Sequence, residues 1–158
     1  KNQPTHYDHT LIHNDFKYDN VVFSDDNWLS ISAILDWEMC TLGDPLMDLG
    51  TSLGYWTTVD DADFMKQGLP SPTVMVGNPS RSDIVQSYAI KSGRSVDQIV
   101  FYYVYGLFKI AVIAQQIYYR YKHGHTQDPK FANLNKAAAL CCNNAWQAIQ
   151  KNQIDNLY

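Results

Sequence analysis

His13-Asn14-Asp15-Phe16-Lys17-Tyr18-Asp19-Asn20 is the informative polar stretch of this chain, and Asp36, in Ile34-Leu35-Asp36-Trp37-Glu38, follows Asn20 by sixteen residues. Thr10 to His13 is a short apolar run that reads as a strand end. Val21 to Phe23 reads as a second strand. Ser24 to Asn27 holds the turn formers Ser, Asp, Asp and Asn, so a hairpin is predicted there. Trp28 to Trp37 alternates imperfectly and reads as the returning strand. That hairpin would bring Asp15, Asn20 and Asp36 to one edge, on a polar loop flanked by short strands, a common setting for sites.

The residue types suit phosphoryl transfer. Mg²⁺ prefers oxygen donors, with one or two carboxylates plus phosphate oxygens. Asp36 supplies a carboxylate and Asn20 a carbonyl oxygen. Asp15 is left to orient an attacking hydroxyl and accept its proton. Lys17, two residues on, is within reach of a γ-phosphate oxygen. Such chemistry asks the protein mainly for positioning and charge neutralisation. Taken singly, an Asp in a loop is a cap or a solvated charge; the joint spacing is what argues otherwise.

H-x-D-x-x-x-x-N followed by an Asp at a strand end resembles the catalytic loop and metal-binding segment of the protein-kinase-like fold. The details resemble the aminoglycoside phosphotransferase and choline kinase group more than protein kinases. Trp37-Glu38 stands where protein kinases have Phe-Gly, and Gly43-Asp44-Pro45-Leu46-Met47-Asp48-Leu49-Gly50 is similar to the GDPxxDLA signature of that group. Tyr105 to Ala111 and Gln115 to Tyr118 look like the branch related to the kinase domain of eukaryotic acyl-CoA dehydrogenase fusion proteins. The resemblance implies an α+β fold: a mostly helical C-terminal lobe with small β-hairpins near the catalytic loop. It implies Mg²⁺ and ATP as cofactors and a small-molecule hydroxyl as acceptor. By position it makes Asp15 the base or hydroxyl-orienting residue, and Asn20 and Asp36 the cofactor-binding metal ligands. Lys17 becomes the phosphate contact, His13 a support for the loop and Asp48 an anchor that hydrogen-bonds it. Asn14 stands where many relatives have Gly, and Asn tolerates unusual backbone angles.

The family's N-terminal ATP-binding lobe has no counterpart in this sequence. Residues 1–158 are therefore expected to be a C-terminal catalytic and substrate lobe, inactive alone, whose partner lobe belongs to the same longer protein. Two other readings stay open: a non-catalytic kinase-like binding module, and a Mg-dependent phosphohydrolase with similar carboxylates.

Outward from the motif, Asp44 is predicted to cap a helix from Pro45 to about Trp56. Residues 57–79 read as an irregular connector. Ser80 or Ser82 caps a helix to about Ser92, with Gly93 past its end. A helix from Val96 to about Lys122 follows, and a last one from about Lys130 to Lys151. The stretch Ile99 to Tyr119 is apolar but holds Lys109, Gln115 and Gln116, and reads as a core helix rather than a membrane span. Its tyrosines are expected to be core and rim, with some lining the acceptor pocket.

With 158 residues, 46% of them hydrophobic, one domain with a real core is expected. A net charge of −4 without basic runs argues against nucleic acid or an anionic membrane as partner. The three cysteines, Cys40 and the adjacent Cys141 and Cys142, form no disulfide or metal pattern. Reduced thiols fit a cytoplasmic protein. His6, His9 and His13 match no standard zinc spacing. Asp60, Asp61 and Asp63 read as a solvated acidic loop, or as an attraction for a cationic substrate.

Overall fold

The computed structural model describes residues 3–5 and 7–158, so His6 lies outside it. Two small antiparallel sheets lead the chain. β1 (Thr10–Ile12) pairs with β4 (Thr41–Gly43), Thr10 opposite Gly43 and Ile12 opposite Thr41. β2 (Val21–Phe23) pairs with β3 (Ile31–Ile34), Val21 opposite Ile34, with an irregularity between Val22 and Phe23. The predicted hairpin is therefore present, although β3 is shorter than Trp28 to Trp37. The pairing of β4 with β1 has no local signal, because the partners lie some thirty residues apart.

Helices follow. α1 (Pro45–Tyr55) starts as predicted: Asp44 accepts from the Leu46 amide at 2.9 Å, Pro45 opens the first turn and Trp56 ends the helix. Such a cap contributes about 1 kcal/mol. The connector contains a short helix, α2 (Asp63–Gly68), and a 3-10 turn at Pro72–Val74. α3 (Arg81–Ser92) carries a full capping box between Ser80 and Asp83 and ends at Gly93, which is left-handed with φ 68°. α4 (Ile99–Lys122) begins later than predicted, because Ser95 and Asp97 bond each other in a turn at 2.7 Å. Pro129–Asn133 forms a 3-10 turn, and α5 runs Leu134–Lys151.

The core lies where α1, α4 and α5 meet. Leu53, Tyr103, Leu107, Cys141, Ala148 and Leu157 are almost wholly buried there. Each large apolar side chain so buried contributes about 1.5–3 kcal/mol. α4 is long and apolar enough by composition to cross a membrane, but its Tyr103, Leu107 and Ala111 pack into this core. Cys141 is core and Cys142 its exposed neighbour, as the sequence suggests. α1 and α4 approach closely at two glycines: a Cβ on Gly50 would stand 2.2 Å from the Tyr102 carbonyl oxygen, and one on Gly106 2.3 Å from the Gly50 carbonyl oxygen. Only glycine permits that crossing. The architecture is the expected one, an α+β, mostly helical kinase-like C-terminal lobe with small strand pairs beside the motif loop.

Candidate active site

The loop between β1 and β2 is held from one face of α1. Asp48 accepts the amides of His13 and Asn14, both at 2.6 Å, through its two oxygens. Ser52 donates its hydroxyl to the Phe16 carbonyl at 2.6 Å. Tyr55 donates its phenol to Asp15 Oδ1 at 3.3 Å. Positions 48, 52 and 55 share one helical stripe. The same helix turns Gly50 and Leu53 toward α4, so one element both fills the core and grips the loop.

Within the loop, Asp15 is the hub. Its Oδ2 accepts from Lys17 Nζ at 2.7 Å and from Asn20 Nδ2 at 3.1 Å. The same Asn20 amide nitrogen donates to the Asp15 main-chain carbonyl at 2.8 Å. That network orients the Asn20 amide and leaves its Oδ1 without a hydrogen bond from the described residues. The Lys17–Asp15 pair is partly buried, with 26% and 17% of the side chains exposed. Burial, and after it the Asp15 charge, pushes the Tyr55 phenol well above its ordinary range. Tyr55 therefore stays protonated and acts on Asp15 as a donor.

His13 works on the backbone. Its Nε2 lies 2.7 Å from the Leu35 carbonyl, and its Nδ1 is 3.2 Å from the Asp15 amide. The amide must donate and the carbonyl must accept, so the ring carries its proton on Nε2. Leu35 also donates its amide to the Asn20 carbonyl at 2.8 Å. The residue before Asp36 is thus tied to both ends of the motif loop. Asp36 itself is left-handed, with φ 64°. Its exposed carboxylate has no partner among the described residues.

Of the sequence-predicted residues, Asp15 bonds Lys17 and Asn20 through its side chain and His13 through its amide, while Asp36 follows Leu35, whose amide bonds the Asn20 carbonyl. The donor set fits a hard cation, since the Asn20 Oδ1 and the Asp36 carboxylate are both uncommitted oxygens. Among the described residues there is no group of three or more His, Cys, Asp or Glu that could hold a metal. The set thus lacks the ligands of a metal caged by protein alone. It suits one that takes its remaining ligands from phosphate and water.

Sequence reading missed Ser52, Tyr55 and Lys109. Tyr55 lies in α1 with nothing local to mark it. Lys109, the one cation in the apolar middle of α4, bonds the Asn14 carbonyl and lies 3.3 Å from Asn14 Oδ1. A lone Lys in such a run demands a partner, and that was the available signal. The predicted acidic loop fails at Asp61, which is buried and pairs with Arg81 at 2.6 and 3.0 Å. The tyrosines of α4 are core and rim, as expected: Tyr103 is buried and Tyr102 donates to Asp44 at 2.5 Å. None of them lines the clefts beside the loop. His9 packs on Tyr7, and the His13 ring is engaged by the Leu35 carbonyl and the Asp15 amide.

Two clefts flank the loop. One of about 420 Å³ is bordered by Lys17, Tyr18, Phe23, Tyr55, Trp56 and Pro72. A larger one, about 850 Å³, runs between β1, α1 and α3 past Phe16, Asp48, Ser52 and Tyr88.

Known proteins share parts of this sequence and this fold. Residues 1–70 match the model of the phosphotransferase enzyme family. Acyl-CoA dehydrogenase family member 11 of Gallus gallus is 31% identical over 144 residues, which is 86% of this chain and 18% of that protein. Its Homo sapiens counterpart is 33% identical over 131 residues, 78% of this chain and 16% of that protein. Acyl-CoA dehydrogenase family member 10 of Mus musculus is 27% identical over 143 residues, 90% of this chain and 13% of that protein. The chain thus spans under a fifth of these curated relatives. A solved structure from Ralstonia eutropha that carries the aminoglycoside phosphotransferase name shares the fold, with a TM-score of 0.72 at 24% identity. That match covers 90% of this chain and 43% of that one. Residues 1–70 thus carry the phosphotransferase enzyme family's sequence, the chain as a whole is similar to acyl-CoA dehydrogenase family members 10 and 11, and its fold is the kinase-like one of the solved structure.

Proposed function

We propose that this chain is the catalytic lobe of an enzyme that transfers a phosphoryl group from Mg·ATP to a hydroxyl of a small molecule. The observation that carries this reading is the way Asp15 is held. Its Oδ2 is occupied by Lys17 and Asn20, whereas among the described residues Oδ1 meets only the Tyr55 phenol, at 3.3 Å. An acceptor hydroxyl arriving at Oδ1 finds a carboxylate already oriented, and positioning of that kind is a large part of such catalysis.

In this reading Asp15 hydrogen-bonds the hydroxyl and takes its proton as the bond to phosphorus forms. Lys17, beside Asp15, offers its ammonium to a γ-phosphate oxygen. His13 holds the loop and touches no reactant. Asn20 and Asp36 would hold Mg²⁺ through their uncommitted oxygens. When bound, that ion neutralises charge on the phosphates. The ATP-binding lobe would come from another part of a longer protein. The small share of each relative that the chain spans supports this, as do the exposed Trp28, Leu29 and Ile31 of the β2–β3 hairpin.

The test is ADP formation by the full-length protein with Mg·ATP and a panel of acceptors: aminoglycosides, choline, homoserine and hydroxyacyl-CoA. Hydroxyacyl-CoA comes first, because the relatives are acyl-CoA dehydrogenase family members. Asp15→Asn and Asp36→Ala are each expected to lower turnover by about 10²–10⁴-fold. Near-normal rates in either variant would sink the mechanism. Mg·ATP binding without turnover on any acceptor would favour a non-catalytic binding module, and phosphate release without an acceptor a hydrolase.

A further inference from the structure

One contact beside the loop serves neither the core nor the proposed chemistry directly. Lys109 sits in the middle of α4, 95 residues from Asn14, between the exposed Phe108 and the buried Ile110. A lysine at such a place ordinarily runs its stem along apolar surface and puts its ammonium in water. Here the ammonium turns inward and donates to the main-chain carbonyl of Asn14, with the Asn14 side-chain oxygen 3.3 Å away. Burial pulls Lys109 below the ordinary lysine range, against the opposing attraction of Asp15 and Asp48. The inward turn therefore costs desolvation, and the loop carbonyl is what it obtains in return.

The Asn14 carbonyl belongs to the peptide unit that joins Asn14 to Asp15. The N–H of the same unit donates to His13 Nδ1 at 3.2 Å. Both polar ends of one peptide plane are thus held, the oxygen by α4 and the nitrogen by the loop's own histidine. Asn14 is left-handed at φ 69°, a conformation a non-glycine residue keeps only when its surroundings enforce it. Asp48 on its amide and the Met39 carbonyl, 2.9 Å from its Nδ2, complete the enclosure. Without Lys109 the carbonyl loses its partner and one of the two holds on the plane is gone, which loosens the backbone that leads into Asp15.

We infer that Lys109 is a positioning residue: from α4 it locks the Asn14–Asp15 peptide plane and so fixes the direction in which the Asp15 carboxylate points. This rests on the phosphotransferase reading for its consequence, though not for the lock itself.

The two parts are tested separately in the full-length protein. Hydrogen exchange of the peptide that spans β1 and the loop measures the lock. Lys109→Met is expected to speed exchange of the His13, Asn14 and Asp15 amides by about tenfold, with α4 and α5 unchanged. Lys109→Arg, which keeps a donor, is expected to restore most of the protection. Unchanged loop exchange in Lys109→Met overturns the inference, and so does faster exchange spread over α4 and α5, because that is ordinary loss of packing. Turnover measures the consequence. With an acceptor found for the unaltered protein, Lys109→Met is expected to lower kcat by about 10- to 100-fold while the KM for Mg·ATP stays within about twofold. A changed KM with kcat intact overturns the positioning role. If the unaltered protein turns over no acceptor, the enzymatic reading fails and the exchange result still decides the lock.

Discussion

Asp48 shows how much one side chain can organise. Its two oxygens each accept a consecutive backbone amide at 2.6 Å, short enough to mark charge-assisted bonds. Without it, the amides of His13 and Asn14 lose their acceptors in a partly buried place. Asp48→Ala is expected to cost about 2–4 kcal/mol and to loosen the loop. Urea unfolding of the chain checks the stability, and a loss below about 0.5 kcal/mol would contradict the anchoring role. Tyr55 is the milder counterpart: at 3.3 Å its bond to Asp15 is long, and it serves as a placeholder on the oxygen an acceptor would claim.

At the scale of elements, the α1–α4 crossing is the decisive piece. α1 turns Asp48, Ser52 and Tyr55 to the loop and Gly50 and Gly54 to α4. The glycines are unequal. A Cβ on Gly50 meets the Tyr102 backbone at 2.2 Å, which cannot move without shifting α4. A Cβ on Gly54 crowds the Ile110 Cδ1 at 2.7 Å, the far end of a side chain that can turn, and meets the α4 backbone at the ordinary contact distance of 3.5 Å. Gly50→Ala is therefore expected to destabilise by about 3 kcal/mol and to draw Lys109 off the loop. Gly54→Ala is expected to be close to neutral, because better helix propensity, worth about 1 kcal/mol, offsets the crowding. Thermal melts of the two variants side by side test this ordering, and equal losses would refute it.

Across the whole molecule, distant segments are joined by a buried ion pair. Arg81 at the start of α3 pairs with Asp61 in the connector and lies 3.4 Å from Asp155 in the tail. Asp61 also accepts the Thr58 amide at 2.7 Å, and Asp155 accepts the Ser82 amide at 2.9 Å. Arg81 and Asp61 are both almost fully buried. Removing the cation leaves an unpaired carboxylate, so Arg81→Met is expected to cost about 3–5 kcal/mol. The loss should appear as a lower urea midpoint together with earlier proteolysis in the connector, and a midpoint equal to that of the unaltered chain would show the pair to be dispensable.

What was legible in the sequence was local. Turn residues, caps and hydrophobic runs placed β2, α1 and α3 almost to the residue, because those signals act over a few positions. The spacing of Asp15, Asn20 and Asp36 named a candidate site, since one hairpin suffices to bring them together. Three things were decided only by the tertiary structure: the β1–β4 pairing, the burial of Asp61 against Arg81, and the arrival of Lys109 and Tyr55 at the loop. Each depends on how α1 and α4 cross and on where the connector closes over them. No window of neighbouring residues encodes those distances; they exist only once the core has packed.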